Sequence, residues 1–130
     1  MTDVNAKTTE WTISEALQSL LYELVKERSG ACIISFRDPT YSPTAGGFHP
    51  VEIMVGETGD IQYITDFAYV GQPPVEELVK EIDFDFASGA FQHLGHELPI
   101  SAGRGLYRIW ENNFCMFAKM GVFETEVTDV

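Results

Sequence analysis

The stretch FHPVEIMVGETGDIQYITDFA, residues 48–68, is the strongest indication of the fold, because it carries two strand patterns around one tight turn. Phe48–Val55 and Ile61–Ala68 are rich in β-branched and aromatic residues, and Gly56–Asp60 has the composition of a five-residue hairpin loop. Pairing the last residue of the first strand with the first residue of the second places most apolar side chains on one face. The sequence therefore predicts an antiparallel hairpin with one core face and one polar face.

The register of this hairpin follows from pairing Val55 with Ile61. It sets three further pairs opposite each other: Ile53 with Tyr63, Val51 with Thr65, and His49 with Phe67. Glu52 and Asp66 then share the polar face. Pro50 has no amide hydrogen to donate, so its strand is expected to be an edge or to carry a bulge there.

Two long helices are predicted on either side of the hairpin. Thr12–Glu15 has the pattern of a capping box, which predicts the start of a helix. Leucines at helical spacing follow it, and Gly30 is expected to end the helix. Residues 105–120 carry apolar, largely aromatic side chains over nearly half of a helical circumference, with Trp110 well inside the apolar arc and Asn113 as its polar exception. Asn113 is expected to bond a loop backbone if it is buried, with ligand contact as the alternative.

The remaining segments predict a further short helix and two strands. Ala31–Arg37 is rich in β-formers, and residues 82–86 alternate apolar and acidic side chains. Apolar residues at helical spacing after Pro73 predict a short helix up to Ile82. Residues 88–105 are expected to be irregular, and 122–130 to add a short strand or to trail off.

These elements predict an α+β fold: a single, mainly antiparallel sheet of about four strands, with two long amphipathic helices on one face as a two-layer sandwich. Residues 1–11 are polar and are expected to form a flexible arm. Residues 12–130 are expected to form one domain, since 130 residues suffice for a single core.

Composition excludes several classes of partner. The chain has 20 acidic and 8 basic residues and a net charge of −12, so nucleic acid and anionic membranes are not expected to bind it directly. A basic or neutral protein partner fits this charge. No apolar run approaches the roughly 18 residues of a membrane span. Two cysteines do not make a disulfide framework, which favours the cytoplasm.

Several motifs resemble one family of small uncharacterised bacterial proteins, a domain of unknown function. The motifs are FRDPTYS at residues 36–42, GGFHPVEI at 46–53, YITDFAYVG at 63–71, DFDF at 83–86, and LY followed by WENNF within 106–114. The resemblance spans most of the chain and implies a bacterial, single-domain protein. It implies no activity, cofactor or catalytic residue.

The candidate contact residues are those that the predicted sheet gathers near the 38–47 loop: Arg37, Tyr41, His49, Glu52, Asp66 and Tyr69. Arg37 is expected to pair with Asp66 or Glu52, because bases are scarce. Arg37, Tyr41, Asp66 and Tyr69 are expected to cluster under the loop. A regular strand places His49 on the face opposite Asp66, so only a bulge at Pro50 is expected to bring the two together.

Neither a metal nor a cofactor is expected. His93 and His96 resemble a zinc half-site only superficially, because Leu94-Gly95 disfavours a helix between them. Asp83 and Asp85 supply too few oxygen ligands for a divalent cation and are expected at a solvated edge.

Two functions remain. The favoured one is a non-enzymatic binding or regulatory protein that contacts a protein or small molecule through the polar sheet face and the 38–47 loop. The alternative is a small hydrolase or lyase that uses carboxylates and a histidine, with its site near His49 and Asp66. If the candidate residues surround one concave site, the enzyme is favoured; if they are spread over a flat face, the binding protein is favoured.

Overall fold

The structure is a computed structural model that describes residues 1, 3–5 and 11–130. The chain forms an α+β fold. Its elements, in chain order, are α1 (Glu15–Val25), β1 (Cys32–Arg37), β2 (Val51–Val55), β3 (Ile61–Val70), β4 (Glu77–Asp85), β5 (Ala90–His93), β6 (His96–Pro99), a 3-10 turn (Ile100–Gly103), α2 (Arg104–Lys119) and β7 (Glu124–Asp129).

The sheet has seven strands in the described chain, in the order β6-β5-β4-β3-β2-β1-β7, and every neighbouring pair is antiparallel. The prediction of about four strands with two long helices is therefore wrong. The sheet gains β5, β6 and β7, while α1 has only 11 residues and α2 has 16.

The strands β5 and β6 lie in the segment that was expected to be irregular. They form a short hairpin whose turn is Leu94-Gly95, with φ of 51° and 84°. Positive φ at both central residues is the geometry of a two-residue hairpin turn. The glycine that suggested irregular chain is thus a turn residue. His93 and His96 face each other across this hairpin, exposed to solvent.

The strand β4 replaces the predicted short helix. Pro73 and Pro74 lie in the turn before it, and pairing with β3 already begins at Glu77. The β3–β4 register shifts between Asp66 and Phe67, which leaves Glu81 as an extra residue in β4. Val75 and Leu78, which gave the segment its helical spacing, are exposed, so that spacing does not mark a face packed on the core.

The β2–β3 hairpin is predicted correctly only at its turn. Val55 pairs with Ile61, but the register then shifts, so that Gln62 is extra and Met54 pairs with Tyr63. Consequently Val51 faces Asp66 instead of Thr65. The faces of β2 are as predicted, whereas those of β3 are exchanged beyond the bulge, and Asp66 lies on the helix side of the sheet.

The two helices pack on one face of the sheet, and α2 helps to cap α1. Ser14, not Thr12, is the N-cap, because its hydroxyl accepts the amide of Leu17. The buried Glu111 accepts the amide of Ser14 at 3.0 Å and the hydroxyl of Tyr107 at 2.6 Å. The capping box predicted at Thr12 is thus replaced by a carboxylate from the second helix.

The apolar arc of α2 is narrower than predicted. Tyr107, Trp110 and Phe114 are buried, while Ile109 and Met116 are exposed on the far side of the helix. The buried face of α2 therefore consists mainly of aromatic side chains. The rings of Trp110 and Phe114 stack at a centroid distance of 4.9 Å.

The predicted flexible arm falls partly on residue 2 and residues 6–10, which lie outside the described residues. Of the described residues in this stretch, Val4 and Trp11 are buried in the core. The amide of Asn5 also bonds the carbonyl of Gly59 in the hairpin loop at 3.0 Å. No helix in the described part of the chain is long and apolar enough to cross a membrane.

Candidate functional site

The segment from Asp38 to His49, called here the 38–49 loop, is tied together by one side chain. The Oδ1 atom of Asp38 accepts both the amide and the hydroxyl of Thr40, and its Oδ2 atom accepts the amide of Phe48 at 3.0 Å. These bonds lower the pKa of Asp38. Gly47 passes so close that a Cβ there would lie 2.8 Å from Asp38 Oδ2. The Asp38 side chain therefore joins the beginning of the loop to its end.

A cavity of about 330 Å³ lies on the helix side of this loop, between the sheet and α2. We call it the helix-side cavity. Five aromatic side chains line it, together with one polar cluster and smaller groups: Gly47, Phe48, His49, Val51, Asp66, Trp110, Asn113, Phe114, Phe117 and Phe123. Asn113 is exposed at the rim, and its side chain makes no hydrogen bond to any described residue.

A second concave surface of about 260 Å³ lies on the other side of the sheet, and we call it the outer groove. Its lining is more polar: Ser35, Arg37, Asp38, Pro39, Tyr41, Pro50, Val51, Glu52, Phe67, Tyr69 and Leu78. Tyr41 stacks on Tyr69 at a centroid distance of 5.2 Å, and its hydroxyl accepts the amide of Tyr69. The loop thus forms a wall of both surfaces.

A hydrogen-bonded network forms the polar wall of the helix-side cavity. Trp110 Nε1 donates to Asp66 Oδ2 at 3.0 Å, and His49 Nδ1 lies 2.9 Å from Asp66 Oδ1. Glu81 Oε2 lies 3.4 Å from the same histidine nitrogen. The hydrogen bond to Asp66 is the main cause that raises the pKa of His49, and partial burial opposes it.

The structure divides the six candidate residues between the two surfaces. Arg37, Tyr41, Glu52 and Tyr69 line the outer groove, whereas His49 and Asp66 line the helix-side cavity. The expected cluster of Arg37, Tyr41, Asp66 and Tyr69 is therefore wrong in one member, because the bulge at Gln62 turns Asp66 to the other face.

The ion pair expected for Arg37 is also absent. No carboxylate of the described residues lies within 4.0 Å of its guanidinium group. Asp66 is on the opposite face, and Glu52 instead accepts the hydroxyl of Tyr63 at 2.5 Å. Arg37 is exposed to solvent, where an ion pair would contribute little to stability.

His49 and Asp66 do meet, but for a different reason than expected. The bulge lies at Gln62 in β3 and not at Pro50, the residue before β2. It moves Asp66 to the face on which His49 already lies, while Pro50 keeps a regular contact through its carbonyl, which accepts the amide of Phe67 at 2.9 Å.

Three residues of the site were missed by the sequence reasoning. Trp110 was assigned to the core alone, although a buried indole N–H needs an acceptor and Asp66 supplies it. Glu81 was placed in a helix. Asp38 was treated only as part of a loop, although aspartate followed two residues later by threonine is typical of a turn closed by the carboxylate.

Comparisons with known proteins identify the family. Residues 12–128 match the family described as "Protein of unknown function (DUF2787)", and the chain belongs to it. The resemblance to an uncharacterised domain family is therefore confirmed, and the bacterial origin that it implies fits the neighbours below.

Two solved structures from Vibrio cholerae are similar over nearly the whole chain. One is the hypothetical protein VC0508 of the VSP-II pathogenicity island, 39% identical with a TM-score of 0.77, covering 89% of this chain and 93% of that one. The other is the conserved hypothetical protein VC1805 of the VPI-2 pathogenicity island, 38% identical with a TM-score of 0.81, covering 94% and 98%. VC1805 is described as sharing structural homology with the human P32 protein. A search of curated proteins found no match.

Proposed function

We propose that this protein is a binding protein and not an enzyme, and that the helix-side cavity takes an apolar or aromatic group of its ligand. The observation that carries the proposal is the lining: five aromatic side chains surround one cluster of converging polar groups. A mostly apolar pocket with a few placed polar groups is the usual form of a small-molecule site.

The charge around the cavity selects the polar part of the ligand. Two carboxylates, Asp66 and Glu81, face the single imidazole of His49, and the whole chain carries a net charge of −12. An anionic ligand is repelled by both. The ligand that fits carries a neutral or positively charged group next to an apolar one.

The outer groove supports contact with a basic or neutral protein partner. Tyr41 and Tyr69 offer stacked aromatic surface there, and Glu52 adds a carboxylate. Aromatic residues are enriched at protein interfaces. The charge of the chain argues against nucleic acid and anionic membranes as partners. Its two free cysteines fit the cytoplasm as the compartment.

Three aromatic probes of similar size and different charge test the cavity: benzyl alcohol, benzylamine and benzoate, each titrated into ¹⁵N-labelled protein in the presence of EDTA. We expect the first two to shift the indole N–H signal of Trp110, with benzoate at least tenfold weaker. Asn113→Trp fills the rim and is expected to abolish these shifts. Its matched control is Asn112→Trp, at the exposed neighbour that does not line the cavity.

The outcome contradicts the proposal if no probe shifts the Trp110 signal, or if Asn113→Trp and Asn112→Trp bind equally well. Benzoate as the tightest of the three contradicts the assignment of charge.

A small hydrolase or lyase remains the second candidate because Asp66 orients His49. A carboxylate on Nδ1 leaves the other ring nitrogen for proton transfer, as in catalytic acid–base pairs. The described cavity lining contains no serine, threonine, cysteine or lysine, so a hydrolase here needs water as its nucleophile. Turnover of neutral aryl esters that disappears in His49→Gln favours the enzyme over the binding protein.

A further inference from the structure

Three side chains from separate stretches of the chain meet at the polar wall of the helix-side cavity. His49 precedes β2, Asp66 lies in β3 and Glu81 lies in β4. One ligand atom from each lies within 4.8 Å of the other two, and the histidine Nδ1 is 2.9 Å from Asp66 and 3.4 Å from Glu81. Within the described residues, this is the one such group of three potential metal ligands.

Two β-bulges build this cluster. The bulge at Gln62 turns Asp66 to the helix side, and Glu81 is itself the extra residue of the bulge in β4. The carbonyl of Glu81 accepts the amide of Leu94 at 2.8 Å, which holds the bulged backbone against β5. Bulges are concentrated beside functional sites, where they redirect a side chain.

The charges of the cluster are incompletely balanced. Among the described residues, neither Asp66 nor Glu81 has a lysine or arginine within 4.0 Å, and both share the one histidine. Both carboxylates are also largely shielded, with side chains 12% and 27% exposed. A dication supplies the charge that two carboxylates require.

We propose that His49 Nδ1, Asp66 Oδ1 and Glu81 Oε2 bind a divalent transition-metal ion of the zinc class. Ligand bonds of about 2.1 Å separate neighbouring ligand atoms by roughly 3.0–3.4 Å in octahedral or tetrahedral geometry, close to the two distances around the histidine. An imidazole with two carboxylates suits zinc, manganese and iron(II) better than calcium or magnesium, which prefer oxygen ligands alone.

The surroundings of the cluster fit this assignment. Trp110 Nε1 holds the second oxygen of Asp66 and thereby orients the first, as partners of metal-binding carboxylates do. Three protein ligands leave further coordination positions open, and the cavity borders two of the three. No metal site was expected from the sequence, because the three residues are remote from one another along the chain and are brought together only by the bulges.

Isothermal titration with ZnCl₂, MnCl₂ and MgCl₂ tests the site on the full chain. We expect one zinc or manganese ion per chain and much weaker magnesium binding. Glu81→Gln keeps the side-chain volume and is expected to weaken zinc at least tenfold. Its matched control, Glu77→Gln, changes an exposed glutamate of the same strand and is expected to leave zinc affinity unchanged. Circular dichroism verifies that each variant is folded.

The exposed pair His93 and His96 provides the competing zinc site, so the double variant His93→Gln/His96→Gln is titrated in parallel. Retained affinity supports the proposed site, and loss of affinity there overturns it. Absence of stoichiometric binding, or equal affinities of Glu81→Gln and Glu77→Gln, also overturns it. The benzyl probes are titrated in EDTA and the metals without any organic probe, so failure of one proposal is distinguishable from failure of the other.

Discussion

The helix-side cavity and the outer groove share the 38–49 loop as a wall, yet they differ in how their polar groups are held. In the cavity, Asp66 uses both carboxylate oxygens, one for His49 and one for the buried Trp110. In the groove, Arg37 has no ion-pair partner among the described residues, and Tyr69 is 37% exposed. The cavity network includes a buried hydrogen bond, from Trp110 to Asp66, whereas in the groove the bond from the amide of Tyr69 to the hydroxyl of Tyr41 is exposed.

The difference shows which surface can carry precise chemistry. Side chains held by buried hydrogen bonds lose little entropy when a ligand arrives, whereas exposed side chains must be ordered at that moment. The cavity is therefore suited to a small ligand or an ion, and the groove to a larger partner that contributes its own contacts.

Truncating Trp110, which lines the cavity, is expected to destabilise the protein most. Trp110→Ala is expected to destabilise the protein by about 3–5 kcal/mol, because it deletes a buried aromatic ring and leaves Asp66 Oδ2 without its donor. Tyr69→Ala in the groove is expected to cost less than about 1 kcal/mol. Urea unfolding measures both, and equal costs contradict the distinction between the two surfaces.

The two carboxylates provide the next comparison. Asp66→Ala removes the acceptor of His49 and Trp110 and is expected to cost about 2–3 kcal/mol. Glu52→Ala removes one bond from Tyr63 on the outer face and is expected to cost about 1 kcal/mol. Urea unfolding measures the loss of stability in both variants. A larger loss in Glu52→Ala than in Asp66→Ala contradicts the expected difference between the two surfaces.

Two adjacent glycines test the loop as a shared wall. Gly47→Ala is expected to cost about 2 kcal/mol, because φ is 128° and the new Cβ meets Asp38 Oδ2 and the backbone of Tyr41. Gly46→Ala has φ of 72° but open space, so about 1 kcal/mol is expected from the backbone alone. Thermal melts of the pair measure the difference, and identical melts show that the loop is not closely packed.

Replacing the buried Asp83 is expected to give a small gain in stability. Burial raises the pKa of Asp83, whose carboxylate accepts the hydroxyl of Thr65 on the outer face. The folded state therefore binds this proton more tightly, and stability falls as pH rises through the unfolded and then the folded pKa. Asp83→Asn removes that loss and is expected to raise stability at pH 7 by less than about 1 kcal/mol.

Two controls test the expected gain in stability of Asp83→Asn: its dependence on pH and the same exchange at Asp85. The advantage of Asp83→Asn is expected to vanish near pH 3, where the carboxyl is protonated in both states. The same exchange at the less buried Asp85 is expected to change little. A melting temperature that is lower at pH 7 in Asp83→Asn than in the unmodified chain contradicts the prediction.

Alternation and turn composition predicted the parts of the fold in which local pattern decides. The Val55–Ile61 pair and the faces of β2 follow from a period of two around a glycine-rich turn. The bulge at Gln62 was not predictable in this way, because Ile61, Tyr63 and Phe67 also alternate without it. The observed register buries Ile64 and brings Asp66 to Trp110 of α2, and both contacts depend on the tertiary fold.

The candidate site shows the same limit. All six residues chosen from the sequence line one or the other surface, since strand ends and loops are adjacent in any sheet. His49 was expected on the core face, but the face of Asp66 was missed because it depends on a single inserted residue, Gln62. Glu81 was missed because the bulge that directs it also disturbs the pattern by which a strand is recognised.

The strand β7 pairs with β1, although the two strands are far apart in the sequence. Arg37, for example, pairs with Glu124. The strands β1 to β6 follow one another in space as in sequence, so each forms against its predecessor, whereas β7 must close a long loop. Until it docks, β1 presents open amides and carbonyls beside the apolar stretch CIISF. Aggregation of partly folded chains is thus expected to begin at β1. In the folded protein β7 covers this edge, and the acidic side chains of its sequence ETEVTD disfavour pairing with a strand of another molecule.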